Sequence, residues 1–282
     1  MAQPFLRYLG GKRKLAARLA SLIHVYPFRR YFEPFVGAGA LFFHLQETPS
    51  NPSWASFLSD SSPELIDTYV QVRDNQPGVA FALADYLDRG GEGREEEFYY
   101  HLRDKEVPAS EAAAAARYIY LNQGGFNGCV RVNADGKNNV PVGRDSKKRV
   151  RSLRIDFSKL EGASRALQGV KIEVADFEKT IGACGKGDLV YADSPYIGGH
   201  VQYTKEGWSS DDVFRLAVCC IAARKRGAVC VVSQPDHPVV RQAFDARRGA
   251  WDTHEVVAAR SVSRDGDGRG KVQELILVGG PL

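Results

Sequence analysis

The chain has 282 residues, 44% hydrophobic and 26% charged, which suits one large α/β domain with an insertion and argues against global disorder. A net charge of +4 is mildly basic and excludes a histone-like polycation, so a nucleic-acid partner would have to meet locally concentrated basic residues. Five cysteines without a CxxC pair argue against a disulfide framework or a structural zinc, and no apolar run reaches the ~18 residues of a membrane span, so a cytoplasmic protein without signal peptide is expected.

In chain order, FLRYLGGK (5–12) is an apolar start that turns at Gly10-Gly11, and KRKLAARLASLIHVY (12–26) carries apolar residues at helical spacing. YFEPFVGAGALFFHL (31–45) reads as strand, glycine turn and helix, and WASFLSD (54–60) as a strand ending at Asp60. Ser62-Pro63-Glu64 opens a helix with proline at its first position, and the stretch to about Tyr120 is mainly helical, with RGGEGREEE (89–97) as a surface loop leading into a first helical turn. Residues 122–149 are polar, glycine-rich and basic, and read as a hairpin or irregular binding loop with Asp135-Gly136 as its turn pair. The alternation resumes with strands KIEVAD (171–176) and DLVYAD (188–193), a long helix ending at Gly227, a buried strand AVCVVSQ (228–234) and a helix HPVVRQAFDAR (237–247). HEVVAARSVS (254–263) and KVQELILVG (271–279) close the chain as two strands around the loop SRDGDGRGK (263–271). The architecture expected is an α/β sheet domain interrupted by a helical, basic insert.

Four constellations carry chemistry. In EPFVGAG, glycines after a strand let a ligand approach the backbone, and Asp60, at the end of the next strand, can accept hydrogen bonds from ribose hydroxyls; NAD and S-adenosylmethionine fit equally. The competing reading of Asp60 is a helix cap. Asp193-Ser194-Pro195-Tyr196 ends a strand at the carboxyl edge of the sheet, where open α/β proteins bind ligands. Its chemistry suits an exocyclic amine whose lone pair is delocalised into a ring. A carboxylate and a main-chain carbonyl can each accept one N–H, an aromatic face can hold the extruded base, and proline can stiffen the turn. A capped turn would look similar. Tyr8 and Lys12 could contact a purine and an anion, or belong to a basic terminus. Within 122–149, Phe126, Asn127, Arg131, Asn133, Asn139 and Arg144 combine base-reading types with a possible wedge, against the alternative of a solvated loop.

Taken in order, FLRYLGGK, EPFVGAG, LSD, NQGGFNGCVRVNADGKNNVPVGR, DSPY and KVQELILV resemble the Dam family of α-group DNA adenine methyltransferases over nearly the whole chain. The resemblance implies a Rossmann-like sheet (1–61 and 150–282) and an inserted, mainly helical target-recognition domain (62–149) carrying a β-hairpin. It implies S-adenosylmethionine as methyl donor without a metal, double-stranded DNA as partner with neither a membrane nor an obligate protein partner, and N6 of adenine as acceptor in a short site such as GATC. Tyr8, Lys12, Phe35, Gly37, Gly39, Asp60 and Asp193 match cofactor contacts, with Asp176 and Phe177 flanking the cofactor adenine. Asp193 and Tyr196 match the catalytic carboxylate and the stacking ring, Arg131 a base-reading arginine, and Phe126 a residue near the intercalating position.

The family usually has proline where this chain has Ser194; rigidity is lost, but the main-chain carbonyl, carboxylate and ring remain, so activity is expected to persist. The mechanism implied is base flipping and direct in-line transfer, with no covalent enzyme intermediate. Cytosine-N4 methylation, RNA methylation and a non-catalytic DNA-binding role stand as rivals.

Overall fold

A computed structural model describes residues 2–8, 12–47, 54–91, 93–129, 131, 133, 137–197, 207–245, 251–259 and 271–282. Five strands run parallel: β1 (Arg30–Glu33), β2 (Ala55–Asp60), β3 (Lys171–Val174), β4 (Asp188–Asp193) and β5 (Val229–Pro235). β7 (Lys271–Gly279) enters antiparallel between β5 and β6 (Asp252–Ala259), giving the seven-stranded order β3-β2-β1-β4-β5-β7-β6. The order reverses between β1 and β4, and open α/β sheets bind their ligands beyond the carboxyl ends of strands at such a point. The expected doubly wound α/β sheet is present.

Side chains alternate across the strands and fill two cores. Tyr31, Leu58, Leu189, Tyr191, Val229, Val231, Ile276 and Val278 face one core; Phe32, Val190, Ala192, Cys230, Val232, Leu275 and Leu277 face the other. The first core is covered by α1 (Ala16–Ile23), α2 (Ala40–Gln46), α3 (Pro63–Asp74), α4 (Gln76–Arg89), α5 (Glu95–Asp104), α6 (Glu111–Gly124) and α7 (Phe157–Leu167). The second lies under α8 (Phe177–Gly182), α9 (Ser210–Lys225) and α10 (Pro238–Asp245).

Helix boundaries follow local chemistry. Ser62 accepts from Leu65 N with Pro63 at the first helical position of α3, as read from the sequence. Ser209 and Asp212 form a reciprocal capping box at α9, and Gly227 follows its end at φ +95°. The structure differs from two expectations and adds one helix. The helix expected over 12–26 is divided into a 3-10 turn, Lys12–Lys14, and α1. α6 takes in Asn122–Gly124, placed by the sequence reading in the binding loop, because the polar side chains find partners on the N-terminal segment: Asn122 Oδ1 accepts from Arg7 N at 2.8 Å, its Nδ2 donates to Arg7 O at 2.7 Å, and Gln123 Nε2 donates to Phe5 O at 2.8 Å. α7 was not anticipated, although Asp156 caps it and Leu160, Ala163 and Leu167 are buried at helical spacing.

After α6 the chain forms a 3-10 turn, Phe126–Gly128, and isolated bridges Gly125–Val142 and Arg144–Val150. Asn139 N donates to Arg131 O at 3.2 Å and Asn133 N to Lys137 O at 2.9 Å, a hairpin-like pairing. The turn pair Asp135-Gly136, the Gly10-Gly11 turn and residues 263–270 of the last loop lie outside the described residues. Among the described residues no helix is long and apolar enough to cross a membrane.

Candidate active site at the sheet switch point

Strand parity brings three carboxylates to one place. Glu33 lies two residues past Tyr31, Asp193 two past Tyr191, and Glu274 two before Ile276, so all three share the face of the first core. Because β7 runs antiparallel with Glu274 opposite Pro235, this residue from the far end of the chain reaches the same edge as the end of β4.

Lys12 enters the group from the 3-10 turn and is only 4% exposed. Its Nζ lies 3.0 Å from Asp193 Oδ1 and 3.5 Å from Glu274 Oε2, and it donates to the Tyr196 hydroxyl. It sits 4.9 Å from the centroid of the Tyr196 ring, a cation–π distance. The Tyr196 hydroxyl donates in turn to Glu274 Oε1 at 3.0 Å. Burial alone would lower the Lys12 pKa, but the charges of Asp193 and Glu274 and the Tyr196 hydroxyl outweigh it and hold the ammonium well above its ordinary value. Burial pushes Asp193 up, against the pull of Lys12. Burial also raises Glu33 to about 8, with the Tyr31 hydroxyl bond at 2.8 Å opposing it. The two carboxylates that Lys12 meets directly are those of Asp193 and Glu274.

Ser194 is 2% exposed; its Oγ donates to Pro195 O at 3.3 Å and accepts from Gln234 Nε2. Its hydroxyl thus has a partner that a proline could not use.

The neighbouring loop is shaped for close approach. Gly37 and Gly39 have φ +45° and +63°, conformations that L side chains rarely adopt. A Cβ on Gly37 would lie 3.3 Å from the Tyr8 ring, which lies against the loop, and Tyr69 donates to Gly37 O at 3.0 Å. Asp60 receives Gly37 N at 3.4 Å and Ser62 N at 3.1 Å, while the cap of α3 itself is Ser62 rather than Asp60. Burial raises its pKa to about 6, with those backbone donors opposing. Phe35 stacks on Phe177 with centroids 5.3 Å apart, and Trp208 meets Phe35 edge-on at 5.6 Å. Asp176 caps α8 through Glu178 N at 2.8 Å and lies 3.6 Å from Arg215 Nη2.

The expected site residues therefore fall into two adjoining groups: Lys12, Asp193, Ser194, Pro195 and Tyr196 in one, and Tyr8, Phe35, Gly37, Gly39, Asp60, Asp176 and Phe177 in the other. Lys12, expected at the cofactor, is brought into the catalytic cluster. Three residues went unremarked in the sequence. Glu274 stands inside KVQELILV, where a lone acid in an apolar strand was the available signal. Tyr69 and Trp208 carried none, since their places depend on how α3 and the 207–209 segment pack.

The expected DNA contacts all lie within residues 126–144. Phe126 is 43% exposed, projected by a turn in which Asn127 takes φ +54° and Gly128 packs so closely on Arg7 that a Cβ would lie 2.6 Å from Arg7 Cβ. Arg131 Nε donates to Asn139 Oδ1 at 2.7 Å and its Nη2 to Asn139 O at 3.1 Å. Asn133 Oδ1 accepts from Lys137 N at 2.9 Å. Arg144 is held by Glu96 at 2.5 Å and donates to Lys148 O at 3.1 Å.

The sequence matches, over residues 8–262, a family model described as "D12 class N6 adenine-specific DNA methyltransferase". It is 31% identical to the Type II methyltransferase M1.LlaDCHI of Lactococcus lactis subsp. cremoris, over 98% of this chain and 94% of that one. It is 29% identical to the DNA adenine methylase of Vibrio cholerae serotype O1, over 96% and 94%. Identity to the Retron Ec67 DNA adenine methylase of Escherichia coli is 25%, over 98% and 90%.

Proposed function

Since the chain belongs to the D12 class of N6 adenine-specific DNA methyltransferases, we propose that the buried group of Lys12, Asp193, Tyr196 and Glu274 performs the transfer and that the adjoining glycine loop holds S-adenosylmethionine. The enzyme methylates adenine N6 in DNA. The observation that carries the residue assignment is the convergence of Lys12, Asp193 and Tyr196 at the switch-point edge. The test is incubation with duplex DNA and methyl-labelled S-adenosylmethionine, followed by nucleoside mass spectrometry. N6-methyladenine is expected; N4-methylcytosine, or no product, would refute the assignment.

The residues present suit that cofactor. Asp60 offers acceptor capacity to ribose hydroxyls, and Phe35, Phe177 and Trp208 form an aromatic wall for a flat base. The buried Trp208 Nε1 finds no partner among the described residues and can donate to such a base. S-adenosylmethionine, once bound, would supply a methyl group already activated by its positive sulfur. Asp193 accepts one N–H of the flipped adenine and the Ser194 carbonyl the other, which localises the nitrogen lone pair. The Tyr196 ring supports the base face, and Lys12 with Glu274 fixes that ring and the carboxylate in one geometry. Asp193, with its pKa raised by burial, is a better acceptor for the departing proton than an exposed carboxylate.

Residues 62–149 are proposed to read a short duplex site, GATC or similar. Arg131→Ala should relax choice at one base pair, costing about 1–3 kcal/mol of discrimination, as measured by kcat/KM on a set of single-substituted sites. An equal loss on every sequence would instead make Arg131 a phosphate contact.

Cofactor affinity should depend on pH through Asp60. Its folded pKa, about 6, lies above that of an unfolded aspartate, so the free protein loses stability as pH rises through that value. Affinity moves the other way, because hydroxyls bond best to the ionised carboxylate. Calorimetric titration with S-adenosylhomocysteine should weaken by up to about tenfold per unit below pH 6 and level off above 7. Asp60→Asn should bind weakly at every pH; an unchanged slope in that variant would assign the titration to another group.

A further inference from the structure

We propose that Gln234 is a positioning residue, its buried amide holding the catalytic turn in place through the Ser194 hydroxyl. The inference rests on the reading of Asp193–Tyr196 as the catalytic turn.

β5 lies beside β4 with Ser233 opposite Asp193, which sets the next residue, Gln234, next to Ser194. Gln234 is 0% exposed and Ser194 2%. Among the described residues only the nitrogen of this buried amide is paired, and Oε1 has no partner, so the bond through Nε2 is the amide's one tie. Gln234 Nε2 donates to Ser194 Oγ, and Ser194 Oγ donates to Pro195 O, so two bonds in series run from β5 to the main chain just before Tyr196. With the amide turned over, Ser194 would donate its single proton to Oε1: the bond to β5 would persist and the bond to Pro195 O would be lost.

The tie has a purpose at this position and would have none with proline. Proline fixes φ covalently. Serine leaves the same bond free to rotate, and the carbonyl that must accept the second N–H of the target amine belongs to Ser194 itself. The hydrogen bond from β5 replaces the lost ring constraint: it fixes the hydroxyl, and through it the torsions that aim that carbonyl. Gln234 touches neither the base nor the methyl donor in this scheme. It acts through Ser194 alone, so its loss should slow turnover and spare ground-state binding.

Steady-state kinetics on five variants test the proposal: Gln234→Leu, Ser194→Ala, their double, Ser194→Pro/Gln234→Leu, and Asp193→Asn as reference. Gln234→Leu and Ser194→Ala should each lower kcat about tenfold, with the cofactor KM within about twofold of the parent, and the double should be no slower than either. Ser194→Pro/Gln234→Leu should return to within about threefold of the parent, since the ring then supplies the constraint. Full kcat in Gln234→Leu or in Ser194→Ala overturns the proposal, as do losses that multiply in the double or a proline that fails to rescue. If Gln234→Leu melts early, Ser194→Ala gives the same readout without disturbing β5. Full activity in Asp193→Asn would refute the catalytic assignment itself; loss there with Gln234→Leu and Ser194→Ala unimpaired refutes only the role of Gln234.

Discussion

Asp193→Ala is expected to lower kcat for adenine methylation by about 10³-fold while duplex binding stays within a few-fold of the parent. The carboxylate is the acceptor that localises the lone pair of a poor nucleophile, and nothing adjacent replaces it: Glu274 is committed to the Tyr196 hydroxyl, and Glu33 is held near pKa 8 and bonded to Tyr31. Asp193→Asn keeps the shape and removes the charge, so it separates loss of an acceptor from loss of packing. Incorporation of labelled methyl groups measures the first quantity and fluorescence anisotropy on a duplex the second. Loss of both with a collapsed melting curve would make Asp193 a structural residue.

The second large effect is on stability. Lys12 is 4% exposed, Asp193 22% and Glu274 7%, so Lys12→Met leaves two carboxylates facing each other with little water between them. Breaking a buried ion pair from one side costs about 3–5 kcal/mol, because the remaining charge is uncompensated. The deficit should depend on pH in a defined direction. Burial already raises Asp193 above its unfolded value against the pull of Lys12, so without the ammonium that carboxyl rises further and the native state binds the additional proton. The variant's stability is then best retained at low pH and lost as pH rises through that raised value. Urea unfolding should show a larger deficit at pH 8 than at pH 5, and Glu274→Gln added to Lys12→Met should recover part of it. A deficit below about 1 kcal/mol at pH 8 would mean that solvent screens the group as it would a surface pair.

What was legible in the sequence was local. A glycine turn after a strand, an acid at the end of the next strand, and a tetrapeptide closing an apolar run each depend on a few contiguous residues, and all sit at one sheet edge. Ser62 and Pro63 announced α3 for the same reason. Pairings across the chain were not legible. The hydrogen bond from Tyr196 to Glu274 requires the antiparallel register that sets Glu274 opposite Pro235, and single-strand patterns carry no register between strands. The extension of α6 through Asn122–Gly124 was hidden for a similar reason, since the partners of Asn122 and Gln123 lie on the N-terminal segment. α7 was a different kind of omission, because its apolar spacing was readable.

The placement of β7 has a consequence for biosynthesis. Among the described residues β6 pairs with β7 alone, and β7 is the neighbour that covers the outer edge of β5. A ribosome releases β6 first, so that strand must wait without a sheet partner while the edge of β5 stays open. When β7 emerges it closes the edge, gives β6 its partner and delivers Glu274 to Lys12 and Tyr196 in the same event. A nascent chain therefore carries Lys12, Asp193 and Tyr196 without their fourth member until β7 has emerged.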